Sequence, residues 1–253
     1  MTDAHCHVSG GDPSVREFLI GRDFVGIHPW ASCASDARPA ADVAAWLREQ
    51  LAANPRLGVG EIGLDRLKTR DISPSMRAVF EAQLRVALEF GRPVVLHGAK
   101  CWGQVVREIS ELSNNRMIEL AGHSASRPPC PSCLSRPASP LGPFLFHGFS
   151  RSDGLLPDIV ALNGYVSVGP AVLNDHAVNY RALVKKIPID HLLVETDRDC
   201  EPASLLNPLT GAPLSVRDVL AKTAELRGLS PAELEAITDA NATRFRSQSA
   251  GTI

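Results

Sequence analysis

Short apolar runs that close on a polar residue alternate along the chain with longer stretches of helical period. The runs are Asp3 to Val8, Phe24 to His28, Leu57 to Glu61, Pro93 to His97, Phe144 to His147, Tyr165 to Val168 and Leu192 to Glu195. Each is bounded by Gly, Pro or a charged residue, the habit of strands buried on both faces in a parallel sheet. Helices are expected between them. Over Ala41 to Ala53, Val43, Trp46, Leu47 and Leu51 share one face. Ser73 as N-cap and Pro74 at the first helical position open a second helix through Met76, Val79, Phe80, Leu84 and Leu88, closed by Gly91. Ser230-Pro-Ala-Glu233 has capping-box spacing before a helix reaching about Phe245. Strands and helices in this alternation build βα units around a parallel sheet.

Two stretches break the rhythm. His7 and His28 lie too close together for a complete helix and another strand between them. From about 113 to 143 the chain is rich in Ser, Pro and Cys, including Arg127-Pro-Pro-Cys-Pro-Ser-Cys133. It reads as an insertion or mobile loop, with Met117 to Leu120 a weak strand candidate.

Composition narrows the class. The 253 residues are 44% hydrophobic and 21% charged, enough apolar material for one large core, and a single domain over 1–253 is expected. A formal charge of −2 excludes a globally cationic nucleic-acid coat but not a locally basic cleft. An aromatic content of 5% argues against a surface built of stacking platforms. No apolar run approaches the roughly eighteen residues of a membrane span. The first residues lack a signal-peptide pattern, so a cytoplasmic location is expected. The six cysteines are scattered and read as free thiols.

The chemistry sits where the strands close: Asp3, His5, His7, His28, Glu61, Asp65, His97, His147, Glu195 and Asp197. Side chains alternate along a strand, so His5 and His7 point the same way and Cys6 the other. Taken singly, each residue has an ordinary structural explanation: a histidine bonded to a carbonyl, an aspartate capping a helix. Their coincidence is different, because separate apolar strands each end in a potential ligand, and a parallel barrel gathers those carboxyl ends on one face.

Six motifs in order carry a resemblance: Asp3-Ala-His-Cys-His7, Val25-Gly-Ile-His-Pro29, Gly60-Glu-Ile-Gly-Leu-Asp65, Pro93-Val-Val-Leu-His97, Phe146-His-Gly-Phe-Ser150 and Leu193-Val-Glu-Thr-Asp197. The chain resembles the TatD-type metal-dependent hydrolases, the TatD DNases, within the wider amidohydrolase-like barrels. Asn241-Ala-Thr-Arg-Phe245 also fits. The resemblance implies a TIM-type (β/α) barrel, distorted by an abbreviated first βα connection and by the Ser/Pro/Cys-rich insertion. It implies two divalent ions (zinc, manganese or magnesium): His5, His7 and Asp197 on one, His97 and His147 on the other, and Glu61 bridging. Such a pair lowers the pKa of water and neutralises charge on a phosphodiester, with Asp197 accepting the proton. Asp3 would orient a ligand imidazole, His28 would contact substrate phosphate, and Glu195 and Asp65 would be structural; Lys100 and Arg198, which follow strand-end motifs, are expected substrate contacts by their position alone.

The chain departs from the family pattern in three places. The first connection is short, which suggests a distorted or seven-stranded barrel with an open mouth. Gly98-Ala-Lys100 replaces a Ser-Arg pair after His97, and Arg198-Asp-Cys-Glu201 replaces an Ala-Pro-Tyr-Leu continuation. These segments touch substrate in the family, so the substrate is the open question. A deoxyribonuclease trimming single-stranded DNA from a 3′ end is the first expectation. A hydrolase of a small amide, ester or lactone is the second, and a protein-binding component docking through 113–143 the third. Cys130 and Cys133, with or without His123, read as loop thiols rather than half a zinc knuckle. Arg66, Lys68, Arg70 and Arg151 follow strand-end motifs and are further candidates for phosphate contact.

Overall fold

The computed structural model describes residues 1–34, 36–124, 142–150 and 152–247, with 114–124 as backbone alone. Eight parallel strands appear among the described residues: β1 (Thr2–Cys6), β2 (Arg16–Leu19), β3 (Phe24–Val25), β4 (Gly58–Asp65), β5 (Val94–Ala99), β6 (Phe144–Phe146), β7 (Gly164–Val168) and β8 (Leu192–Val194). β3 to β8 form one sheet in chain order, and β1 pairs with β2. A parallel bridge from Ile20 to Phe24 joins the two groups on one side. On the other, the Asp197 amide donates to the His5 carbonyl at 3.0 Å, closing the ring. The helices are α1 (Ala40–Ala53), α2 (Pro74–Glu89), α3 (Trp102–Ser124), α4 (Leu156–Ala161), α5 (Val178–Lys186), α6 (Val216–Arg227) and α7 (Pro231–Ser247). None is long and apolar enough to cross a membrane.

The short first connection shortens the barrel differently from a seven-stranded ring. An extra strand, β2, fits between His7 and His28 because no helix follows either β1 or β2. The chain turns from β2 into β3 through Gly21, at φ 88°, with the Asp23 amide donating to the Leu19 carbonyl. The Met117 to Leu120 strand candidate is also corrected: those residues continue α3. Four apolar or amphipathic residues carry no period of their own, and the helix begun at Trp102 simply runs through them. Cys130 and Cys133 lie outside the described residues.

Two apolar layers hold the barrel. Between sheet and helices pack Ile62, Leu64, Leu96, Phe146, Val166 and Val194 with the inner faces of α1 to α6. Inside the ring, Phe24, Val95, Leu145, Tyr165 and Leu193 meet Phe245 of α7. The Phe245 ring lies 6.0 Å from Phe24 and 5.8 Å from Tyr165, plugging the amino-terminal end. Side chains alternate, so the residues two places beyond Val95, Leu145 and Leu193 share their inward face. Those residues are His97, His147 and Glu195. An apolar floor and a polar rim thus come from the same strand faces.

β4 is buried throughout and places its residues against β5 with Gly63 opposite His97. Gly63 has φ 154°, and a Cβ there would stand 2.0 Å from the His97 carbonyl oxygen. Gly63→Ala is therefore expected to destabilise the protein by about 3 kcal/mol or more, since rigid backbone has to yield. Denaturant titration checks this, and a loss below about 1 kcal/mol would show that β4 and β5 separate more easily than their packing indicates.

Candidate metal centre

Five imidazoles and two carboxylates converge at the carboxyl-terminal end of the barrel. β1 directs His5 and, just past its end, His7 inward; β4 supplies Glu61, β5 His97, the end of β6 His147, and the turn after β8 Asp197. Asp197 has φ 50°, a left-handed turn that swings its carboxylate over the ring. The first step past β3 brings in His28.

Glu61 is the centre. It is buried, and its two oxygens face different groups. Oε1 lies 2.6 Å from His97 Nδ1 and 2.7 Å from His147 Nε2, with His28 Nε2 at 3.6 Å. Oε2 lies 3.3 Å from His7 Nε2 and 3.7 Å from His5 Nε2. Asp197 Oδ1 stands 3.3 Å from His5 Nε2 and 3.9 Å from His7 Nε2. Potential ligand atoms in the sets His5–His7–Glu61, His5–His147–Asp197 and His28–Glu61–His97 all lie within 4.8 Å of one another. The structure thus brings together every residue expected to bind metal.

These groups shift one another's protonation. Burial alone would push the Glu61 carboxyl up, but the charge and hydrogen bonding of His147, with His28 and His7, hold it well below the usual carboxylate range. Burial also opposes a proton on His147, yet Glu61 and Glu195 outweigh it and raise its pKa well above normal. The Glu61 carboxylate raises His7 in spite of partial burial. Asp197 is lowered, burial being outweighed by His5 and by the charge of His147. The site is a cage of anions compensated by imidazolium, and a divalent cation is the natural substitute for those protons.

One observation tests that fit. His5 is fully buried; its Nδ1 has no hydrogen-bond partner, and its Nε2 faces the Asp197 carboxylate at 3.3 Å without an aligned hydrogen bond. Buried imidazole nitrogens without partners are costly unless something else engages them. The donor set, rich in imidazole with two carboxylates, suits a divalent transition metal.

Behind the ring stand residues that orient it. Asp65 Oδ2 lies 3.0 Å from His97 Nε2 and accepts the Trp30 indole N–H at 2.7 Å, while Oδ1 accepts from the Leu67 and Lys68 amides. Glu195 accepts from the Gly148 amide at 2.8 Å and from the Ser167 hydroxyl, and its Oε1 lies 3.8 Å from His147 Nδ1. Asp3 does not orient an imidazole. It accepts from the Thr196 amide and hydroxyl at 3.0 and 2.6 Å, tying β1 to the residue before Asp197.

The expected substrate contacts separate. His28 faces the ring, in a cavity of about 470 Å³ shared with Trp30, Glu61, His97, His147 and Asp197. Lys100 is exposed at a second cavity of about 700 Å³, lined also by His97, His147, Ser150 and Asp197. Arg198 turns away from both: its guanidinium is buried, 2.8 Å from Glu17 and 3.5 Å from Asp3. Arg151 lies outside the described residues. Sequence reasoning did not single out Trp30; its place beside His28-Pro29 was the available signal.

Known proteins resemble this chain in sequence and in fold. The family described as TatD related DNase matches residues 21–247. The chain belongs to that family. It is accordingly a metal-dependent hydrolase of the TatD type. A curated relative from Bacillus subtilis, the uncharacterized metal-dependent hydrolase YabD, is 28% identical over 79% of this chain and 69% of its own. The 3′-5′ ssDNA/RNA exonuclease TatD of Cronobacter sakazakii is 29% identical over 87% of this chain and 74% of its own. Among solved structures, the TatD homolog YJJV from Escherichia coli superposes with a TM-score of 0.65 at 21% identity, covering 93% of this chain and 78% of that one. An amidohydrolase of Saccharomyces cerevisiae gives 0.59 at 18%, covering 91% and 80%. These likenesses establish the distorted TIM-type barrel.

Proposed function

We propose that this TatD-family hydrolase is a two-metal phosphodiesterase that releases nucleotides from the 3′ end of single-stranded nucleic acid. The observation carrying the proposal is Glu61, whose two oxygens divide the imidazoles into two sets. His5, His7 and Asp197 would hold one ion, His97 and His147 a second, with Glu61 shared. Relatives named as 3′-5′ ssDNA/RNA exonucleases support the substrate class.

Divalent ions bound there supply Lewis acidity for water and charge neutralisation for a phosphodiester. The chain's residues do the rest. Asp197, held ionised and half exposed above the ring, accepts the proton from the attacking water. His28, at the wall of the smaller cavity, donates to a phosphate oxygen. Lys100, at the rim of the larger cavity, draws in the polyanion. Asp65 and Glu195 keep His97 and His147 aimed, a contribution of about 10- to 100-fold in metal affinity or rate for partners of this kind.

Chelation followed by re-addition is the test. Protein stripped below one ion per ten chains is expected to lose release of nucleotide from a 3′-labelled single strand, and manganese, zinc or magnesium to restore it. Undiminished release from stripped protein overturns the metal mechanism. A silent oligonucleotide alongside turnover of lactones, esters or amides replaces the phosphodiesterase with a small-molecule hydrolase.

A further inference from the structure

We propose that Trp30 is a stacking platform for a nucleobase next to the reacting phosphodiester, and that Lys68 leaves the indole face to meet that nucleotide's phosphate; this rests on the phosphodiesterase reading of the same site. Trp30 is 47% exposed, the only large aromatic side chain so open among the described residues. Yet it is not loose. Its N–H is bonded to Asp65, and its ring stands edge-on to His28 with centroids 4.5 Å apart. The indole is thus fixed in orientation while much of its surface opens to a cavity lined by Glu61, His97, His147 and Asp197. A tryptophan needed only to hold Asp65 would gain by burying that area.

The Lys68 ammonium sits 3.7 Å from the centroid of the Trp30 ring. An exposed cation–π contact of this kind is weak and readily exchanged. A base has a π-face that stacks on indole whatever its identity, and its phosphate offers the ammonium a stronger partner. Platform and metal cage therefore line one space of about 470 Å³, of the size that takes a small ligand, and the Lys68 ammonium is tied to that space through the Trp30 ring it covers.

The test uses the metal-replete enzyme and a thymidine dinucleotide, intact or lacking either base. Trp30→Ala is expected to raise KM about tenfold on the intact dinucleotide, within the range for loss of one stacked base. Trp30→Phe keeps the ring and removes the donor to Asp65, so it should lower kcat while leaving KM near wild type. Removing one of the two bases should erase the KM difference between wild type and Trp30→Ala. A difference that persists in both base-less forms overturns the platform. Lys68→Met should flatten the dependence of log KM on log salt by about 0.7, one single-strand phosphate contact, and an unchanged slope overturns the role of Lys68. Binding is read apart from turnover: thymidine 5′-monophosphate should quench tryptophan emission in wild type more than in Trp30→Phe, and deoxyribose 5-phosphate should not. Quenching without any hydrolysis refutes the phosphodiesterase and leaves the platform standing. Hydrolysis with a base-independent Trp30→Ala effect does the reverse.

Discussion

Glu61→Gln is expected to lower kcat by about a thousandfold or more and to strip the protein of its ions. The substitution keeps shape and removes one charge. That charge is the only carboxylate within 4 Å of both the His97–His147 pair and the His5–His7 pair among the described residues. An amide in its place offers one weak acceptor and one donor, and the donor faces imidazole nitrogens or a cation. A thousandfold loss corresponds to about 4 kcal/mol of transition-state stabilisation, the scale of removing a central charge from a dry site. Elemental analysis of the purified variant beside a steady-state assay reads both effects. If Glu61→Gln keeps two ions per chain and a kcat within threefold of wild type, the shared-carboxylate mechanism fails. Glu195→Gln, which within the metal cage faces only the far nitrogen of His147, is the milder companion and should fall within the 10- to 100-fold range.

The centre was legible in sequence because strand geometry repeats. Val95 and His97, Leu145 and His147, Leu193 and Glu195 obey one period, so an apolar residue facing the barrel interior announces a polar one at its rim. What stayed hidden depended on distant partners. β2 was missed because Arg16 and Glu17 look like exposed loop residues. Glu17 is buried only because Arg198, far along the chain, supplies the compensating charge. Asp3 was expected to steady an imidazole, the common second partner of a ligand histidine, but Thr196 takes both of its oxygens. Arg198 looked like a phosphate contact from its place after Asp197, and only the fold shows its side chain leaving the mouth. The Met117 to Leu120 run was too short to tell strand from helix by period, and the helix already under way decided it.

Arg198→Met should cost about 3–5 kcal/mol in stability, the usual penalty for leaving buried charges without their partner. The guanidinium donates to Glu17 Oε1 at 2.8 Å and to the Leu214 carbonyl at 3.4 Å, and it lies 3.5 Å from Asp3. Glu17 is further bound by the Ser9 hydroxyl and Gly10 amide, each at 2.6 Å, so this one side chain joins β1, β2 and the loop between them to the turn after β8. Those strands have no helix behind their first two connections, and the arginine carries part of the closure that a helix would otherwise provide. The loss should depend on pH. Burial raises the Asp3 carboxyl to about 7, with Thr196 and Arg198 acting against that rise. An acid whose folded pKa is raised favours folding below its unfolded value and loses that contribution as pH climbs through the folded one. Removing Arg198 raises the folded value further, so the variant should suffer more at pH 8 than at pH 5, where a proton can stand in for the guanidinium. Urea titrations at the two pH values check both statements. Arg198→Lys should recover part of the loss, since an ammonium keeps the charge but not the fork that reaches Glu17 and Leu214 together. A loss under about 1 kcal/mol for Arg198→Met at pH 8 would mean that the hydrogen bond from Asp197 to His5 closes the barrel unaided. In that case the departure from the family's usual sequence after Asp197 would have nothing to do with the missing helices.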